Sequence, residues 1–227
     1  MAKRTLYSII LIFVIAGLLI WSIPLSLIAP KKNLEDSSFK ESSKNNSLET
    51  MGEKKKILMV VSFNDFRDEE YFIPKEIFEQ AGFEVKTTSL QKGIAQGVSG
   101  GEAIIDIVIK EIQVAEYEAV VFCGGSGMAE KLENEIFHKL ARDFNKENKL
   151  VTAICVAPAL LAKAGILEGK EATVWSSALS KDYIKILQEE GAIYKDEPVV
   201  ISNQIVTANG PEAAQKFGET IVEILKK

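Results

Sequence analysis

Cys155 closes a short apolar run, Leu150-Val-Thr-Ala-Ile154, and is followed at once by Val156-Ala-Pro158-Ala-Leu-Leu-Ala162. The run reads as a buried parallel strand and the segment from Pro158 as a first helical turn, so the thiol stands at a strand-to-helix joint. A side chain there lies at the carboxyl end of a sheet, where open α/β folds place their ligands, and faces a helix N-terminus that favours an anion. Those conditions are expected to turn a thiol into a thiolate nucleophile. An unpaired cysteine is just as often a small buried hydrophobe, and the local sequence leaves both readings open.

The elements that must hold this thiol can be followed along the chain. Ile57-Leu-Met-Val-Val61 reads as a central strand, and residues 68–81 as a helix with Ile73, Ile77, Phe78 and Ala81 inward, closing on Gly82. Strands are expected at 83–89 and 119–123, with an ambiguous one at 103–107. The second of these, Ala119-Val-Val-Phe-Cys123, breaks at Gly124-Gly-Ser-Gly127, and a helix over 128–145 leads back to the strand before Cys155. Ala172–Trp175, Val199–Ile201 and Ile205–Thr207 supply later strands, with Asn203-Gln204 as a turn and 211–225 as a closing helix. Strands alternating with helices at this spacing predict an α/β fold, a doubly wound, mainly parallel sheet covered on both faces: a flavodoxin-like three-layer sandwich.

The remainder of the chain is an appendage. With 227 residues, 47% hydrophobic and a formal charge of −5, the sequence accommodates one substantial domain and does not offer the basic face a nucleic acid would need. Residues 1–30 carry a run without charge from Thr5 to Pro30, long enough to cross a bilayer core of about 20 residues. It reads as an N-terminal transmembrane anchor or signal sequence; the uncleaved anchor is preferred, and a cleaved, secreted form is the alternative. Residues 31–54, rich in Ser, Asn, Lys and Glu, form a flexible polar linker, and residues 55–227 the folded domain. Lysines flank the apolar run on both sides; its short N-terminal tail favours a membrane-anchored, extracytoplasmic domain. In such a compartment Asn45-Asn46-Ser47 would be a glycosylation sequon.

Two cysteines and a single histidine, His138, give no ligand spacing for a metal. Cys123 and Cys155 end presumed neighbouring strands, close enough for a disulfide that would switch the nucleophile off, although simple packing of Cys123 is the plainer reading. Gly124-Gly-Ser-Gly127 is not a P-loop, because no Gly-Lys-Ser/Thr follows.

Several segments in order resemble the ThiJ/PfpI family, which includes the parkinsonism-linked protein deglycase and belongs to the class I glutamine amidotransferase-like superfamily. They are Glu70-Tyr-Phe-Ile-Pro74, Ala119-Val-Val-Phe-Cys-Gly-Gly125, Ala153-Ile-Cys-Val-Ala-Pro158 with 161–173, and Thr207-Ala-Asn-Gly-Pro211. The resemblance implies that Cys155 is the nucleophile and Glu70 its partner acid, and a carboxyl beside a thiolate can donate and recover a proton during attack on a carbonyl. Glu69 and Asp68 compete with Glu70 and read as solvated first-turn carboxylates. Backbone N–H groups of Gly124, Gly125 and Val156 fit an oxyanion site. Val156 stands where protease-like members carry His, and His138 reads as a surface or half-buried helix residue, so a cysteine peptidase or amidase is disfavoured.

A Cys–Glu pair resembles the arrangement in cofactor-independent glyoxalase and deglycase members, which act on small reactive aldehydes such as methylglyoxal. The expected partner is therefore a small-molecule carbonyl substrate, with no metal or organic cofactor; the resemblance also implies a homodimer. Asn209, where relatives often have Arg, is a candidate substrate ligand or a turn residue before Gly210. Trp175 and Phe66 line the pocket or simply pack. The alternative to an enzyme is a redox-sensing or stress-protective protein in which Cys155 is oxidised beside Glu70.

Overall fold

The computed structural model describes residues 54–227. The expected membrane span and nearly all of the linker lie outside the described residues, and among those described no helix is long and apolar enough to cross a membrane.

The chain opens with β1 (Lys56–Val60) and β2 (Asn64–Phe66), then α1 (Asp68–Gln80) and β3 (Glu84–Ser89). β4 (Ile94–Gly97), β5 (Glu102–Ile104) and β6 (Ile107–Val108) follow, before β7 (Ala119–Phe122), α2 (Ser126–Ala129), α3 (Glu135–Lys146) and β8 (Leu150–Ile154). The remainder is α4 (Ala157–Lys163), β9 (Glu171–Ala172), α5 (Asp182–Glu189), β10 (Ile193–Tyr194), β11 (Val199–Ser202), β12 (Ile205–Ala208) and α6 (Ala214–Leu225).

Seven strands form the main sheet in the order β11-β12-β8-β7-β1-β3-β6. Every neighbouring pair is parallel except β11 with β12. The central strands β7 and β8 are buried at every residue, as apolar runs without alternation predict. From β1 the chain crosses through α1 to β3 on one side, whereas from β7 it crosses through α2 and α3 to β8 on the other. Right-handed crossovers in opposite directions put α1 and α3 on opposite faces of the sheet. α6 packs with α1, and α4 with α3, completing three layers. The crevice at such a reversal, beyond the carboxyl ends of β1 and β7, is where α/β sheets bind ligands.

Of the local departures from the sequence reading, the first two have identifiable causes. The single helix expected over 128–145 is two, because Asn134 Oδ1 accepts from the N–H groups of Ile136 and Phe137 at 3.0 and 3.3 Å and starts α3 afresh. The strand expected over 172–175 ends at Ala172, since Trp175 N–H is drawn instead to the Cys155 carbonyl at 2.8 Å. Residues 103–107 divide between β5, which joins β2 and β4 in a separate small sheet, and β6 of the main one. α5 and its neighbour β10 were not expected at all. The Asn203-Gln204 turn is present, with Asn203 left-handed at φ 55°.

Candidate active site

Cys155 is the first residue after β8 and has φ 64°, a left-handed conformation that costs a non-glycine residue about 1–2 kcal/mol. It is held there from both sides: its N–H donates to Ala208 O at 2.9 Å and its carbonyl accepts from Trp175 N at 2.8 Å. The turn therefore presents the side chain at the sheet's rim while α4 begins two residues later.

Glu70 approaches from α1, in the first turn of the helix that follows β1 and β2, and is fully buried. Its Oε2 accepts from Gly124 N at 2.9 Å. Its Oε1 is buried without a hydrogen-bond partner, and the carboxyl interacts with the Cys155 thiol. Gly124 has to lack a side chain: a Cβ there would lie 2.6 Å from both Cys155 Cβ and Glu70 Oε2. One expectation is thereby corrected. The Gly124 N–H is spent on Glu70 and is not an oxyanion donor. The amides of Gly125 and Val156 are the two that face the sulfur and favour its ionised form.

Burial raises the Glu70 carboxyl to about 7, against the opposing pull of the Cys155 thiol, the Gly124 N–H and the Arg67 guanidinium. Burial also pushes the Cys155 thiol well above its ordinary value; the Glu70 charge and hydrogen bond add to this, and the two amides oppose it. The expectation that the strand end and helix start together turn the thiol into a thiolate is opposed by that desolvation. The two groups titrate as a pair. Once Glu70 is protonated its charge no longer holds the thiol up, so thiolate with carboxylic acid and thiol with carboxylate compete for one shared proton.

The pair opens onto a cavity of 460 Å³ whose walls include Arg67, Ser126, Trp175, Tyr183 and Pro211. Trp175 thus lines the cavity, as one of its two sequence readings had it, stacked edge-on against Tyr183 at 6.0 Å. Phe66 does not: it is fully buried against Tyr71 and Phe72, and the next residue, Arg67, takes the cavity side. Asn209 also lies outside it, in an adjoining 260 Å³ depression shared through Trp175 and Pro211.

The competing acids are disposed of by their partners. Asp68 is buried, not solvated, and accepts from Ser99 N and Gly101 N at 2.8 and 2.7 Å, fixing the loop that brings Val98 to the cavity. Glu69 pairs with Arg67. His138 is buried in α3, not at the surface, with Nε2 against Leu132 O at 2.6 Å, and does not line the cavity. Both cysteines are free thiols. Among the described residues no cluster of three or more His, Cys, Asp or Glu could hold a metal. Arg67 and Tyr183 were missed. Arg67 was legible one turn before Glu70; Tyr183 lies in a helix signalled by the spacing of Tyr183, Ile184, Ile186 and Leu187, which the sequence reading did not use.

Comparison with known proteins gives the same outline. Residues 55–224 match the model of the DJ-1/PfpI family. An uncharacterized protein of Methanocaldococcus jannaschii is 39% identical over 173 residues, 76% of this chain and 83% of that protein. Protein/nucleic acid deglycase 2 of Escherichia coli is 31% identical over 173 residues, covering 75% and 98%. Among solved structures, the ThiJ/PfpI domain protein from Brachyspira murdochii superposes with a TM-score of 0.73 at 36% identity, covering 77% of this chain and 98% of that one.

Proposed function

The chain belongs to the DJ-1/PfpI family, and we propose that within it the domain is a cysteine-nucleophile enzyme of the glyoxalase or deglycase kind, acting on small reactive carbonyls. The observation that carries this reading is the buried Cys155–Glu70 pair beneath the Gly125 and Val156 amides, open to one cavity. For a 2-oxoaldehyde R–CO–CHO, the Cys155 thiolate adds to the aldehyde carbon and the new alkoxide takes the Glu70 proton. The Glu70 carboxylate then removes the hydrogen on that carbon as a proton and returns it to the adjacent carbon, the hydroxyl proton passing to the ketone oxygen. The first carbon is oxidised to a thioester and the second reduced to a carbinol. Water cleaves the thioester, gives its proton to Glu70 and releases the thiolate, so that R–CO–CHO and H₂O become R–CHOH–COOH.

The same attack on a carbonyl-derived adduct of an amine would be a deglycase reaction, which is what the name of the Escherichia coli relative describes. A peptidase reading is disfavoured, although a Bacillus subtilis relative 32% identical is named a putative cysteine protease, since Val156 supplies no imidazole and His138 is spent elsewhere. The test is turnover of methylglyoxal by the purified chain and by Cys155→Ala. Loss in the variant with an unchanged far-UV spectrum supports the assignment, and equal turnover refutes it. A redox role remains a second reading, because the donors that face the sulfur would also hold its oxidised oxygens. Two-oxygen addition at Cys155 after mild peroxide, without turnover of any carbonyl, would favour it. On the sequence reading of residues 1–30, the activity is tethered to a membrane; the full chain should sediment with vesicles.

A further inference from the structure

Arg67 and Glu70 are the two charged residues among those that line the Cys155 cavity, and Arg67 is the cation. Most of the remaining wall is apolar or aromatic, including Val98, Ala129, Trp175 and Tyr183. Arg67 cannot swing away through its backbone: its N–H donates to Gly124 O at 3.2 Å, on the same strap that holds Glu70.

Its guanidinium is also incompletely used. Arg67 Nε and Glu69 Oε2 lie 2.9 Å apart, close enough to attract, yet neither makes an aligned hydrogen bond, and both atoms are buried. The ion pair engages Nε and offsets part of the charge, while the side chain is 39% exposed and its two Nη groups have no hydrogen-bond partner among the described residues. Such a fork matches a carboxylate in two parallel bonds. At 460 Å³ the cavity falls in the range of about 300–1,000 Å³ that holds ligands well beyond three carbons.

Building on the Cys155–Glu70 chemistry proposed above, we propose that Arg67 selects for anionic carbonyl substrates, specifically 2-oxoaldehydes whose R group carries a carboxylate, by taking that carboxylate while Cys155 takes the aldehyde carbon. Arg67 acts here as a specificity residue. The bond changes are those already written, with R bearing the anion and unchanged throughout.

Two measurements on the full chain separate this inference from the reading beneath it. The first compares kcat/KM for 4,5-dioxopentanoate with that for methylglyoxal. The ratio should favour the anionic substrate and fall about tenfold in Arg67→Gln, chiefly through KM, with partial recovery in Arg67→Lys. A ratio that is the same in the native chain and in Arg67→Gln, with methylglyoxal turned over, overturns the inference and spares the enzyme. The second needs no turnover. Cys155 is alkylated with iodoacetate and with iodoacetamide and read by peptide mass, and the ratio of the two rates should drop about tenfold in Arg67→Gln and be largely restored in Arg67→Lys. An unchanged alkylation ratio overturns the inference even if no aldehyde is a substrate, whereas a dropped ratio with no turnover upholds anion selection by Arg67 and removes the glyoxalase reading alone.

Discussion

Cys123 and Cys155 follow neighbouring parallel strands, β7 and β8, and both are buried free thiols, but only Cys155 lines a cavity. Cys123 continues its ladder, with its N–H donating to Val60 O at 3.0 Å, and it is wholly inaccessible. Cys155 leaves its ladder through a left-handed turn and reaches a cavity, two amide donors and a carboxyl. Burial raises both thiols. What separates them is access and partners: Cys123 has no amide to favour its anion, and its one polar partner is a carbonyl. A strand end therefore does not bring a thiol to a cavity and two amide donors; the turn does.

The contrast is broken most directly by exchanging reactivity for packing. Cys155→Ala should lower kcat/KM on methylglyoxal by about 10³-fold or more and abolish the fast-alkylating thiol, as measured by steady-state kinetics and thiol counting. Glu70→Gln should lower turnover by about 10²-fold, because an amide cannot carry the proton. It should at the same time speed alkylation of Cys155 at pH 8, since the charge that raises the thiol is gone. Slower alkylation in that variant would contradict the coupling described here.

Glu70 also makes stability depend on pH. The folded-state carboxyl keeps its proton up to about 7 while the unfolded chain releases it near 4.5. The native state therefore binds more protons across that window, and stability falls as pH rises from 4.5 through 7, by roughly 3 kcal/mol at most. Urea unfolding at pH 5 and pH 8 should show Glu70→Gln gaining on the native chain over this interval. Equal differences at the two pH values would mean that the carboxyl is not desolvated.

How far this site could be read in the sequence depends on which contacts are local. The strand before Cys155 was legible to the residue, because five consecutive buried positions leave no alternation to misread. Glu70 and Cys155 are far apart in sequence, and their meeting rested on the resemblance and the topology of the sheet. Gly124 was read for the wrong reason: its missing side chain is explained by the gap between Glu70 and Cys155, which exists only once both elements are placed. Whether Phe66 lined the pocket or packed was open in the sequence, because a strand as short as β2 fixes no alternation on its own; it packs, and Arg67 lines the cavity. α5, and with it Tyr183, was not foreseen although Tyr183, Ile184, Ile186 and Leu187 fall at helical spacing and pack against the core.

Substitution of Gly124 sharpens the contrast less than loss of either reactive group. Gly124→Ala would force a methyl into contacts of 2.6 Å with Cys155 Cβ and Glu70 Oε2. Overpacking of this kind costs about 1–3 kcal/mol and should part the pair. The expected result is a lowered Tm together with a Cys155 alkylation profile that no longer tracks Glu70; an unchanged profile would mean that the strap yields without separating them.

The smallest effect belongs to Cys123, and it follows from a proline. Pro74 sits four residues after Glu70 within α1 and has no N–H, so the Glu70 carbonyl loses its helical donor. Cys123 Sγ lies 3.5 Å from that oxygen and donates to it. The second thiol is thus a weak cap on the backbone of Glu70, buried where water cannot substitute. Cys123→Ala should cost about 1–2 kcal/mol in urea unfolding, from the small void and the orphaned carbonyl together. Cys123→Ser, which keeps a donor, should recover part of that, and in both variants methylglyoxal turnover should stay within about threefold of the native chain, since Glu70 keeps its Gly124 bond. Turnover lost in Cys123→Ala but kept in Cys123→Ser would show that this carbonyl contact positions the acid, and the inert thiol would then belong to the site after all.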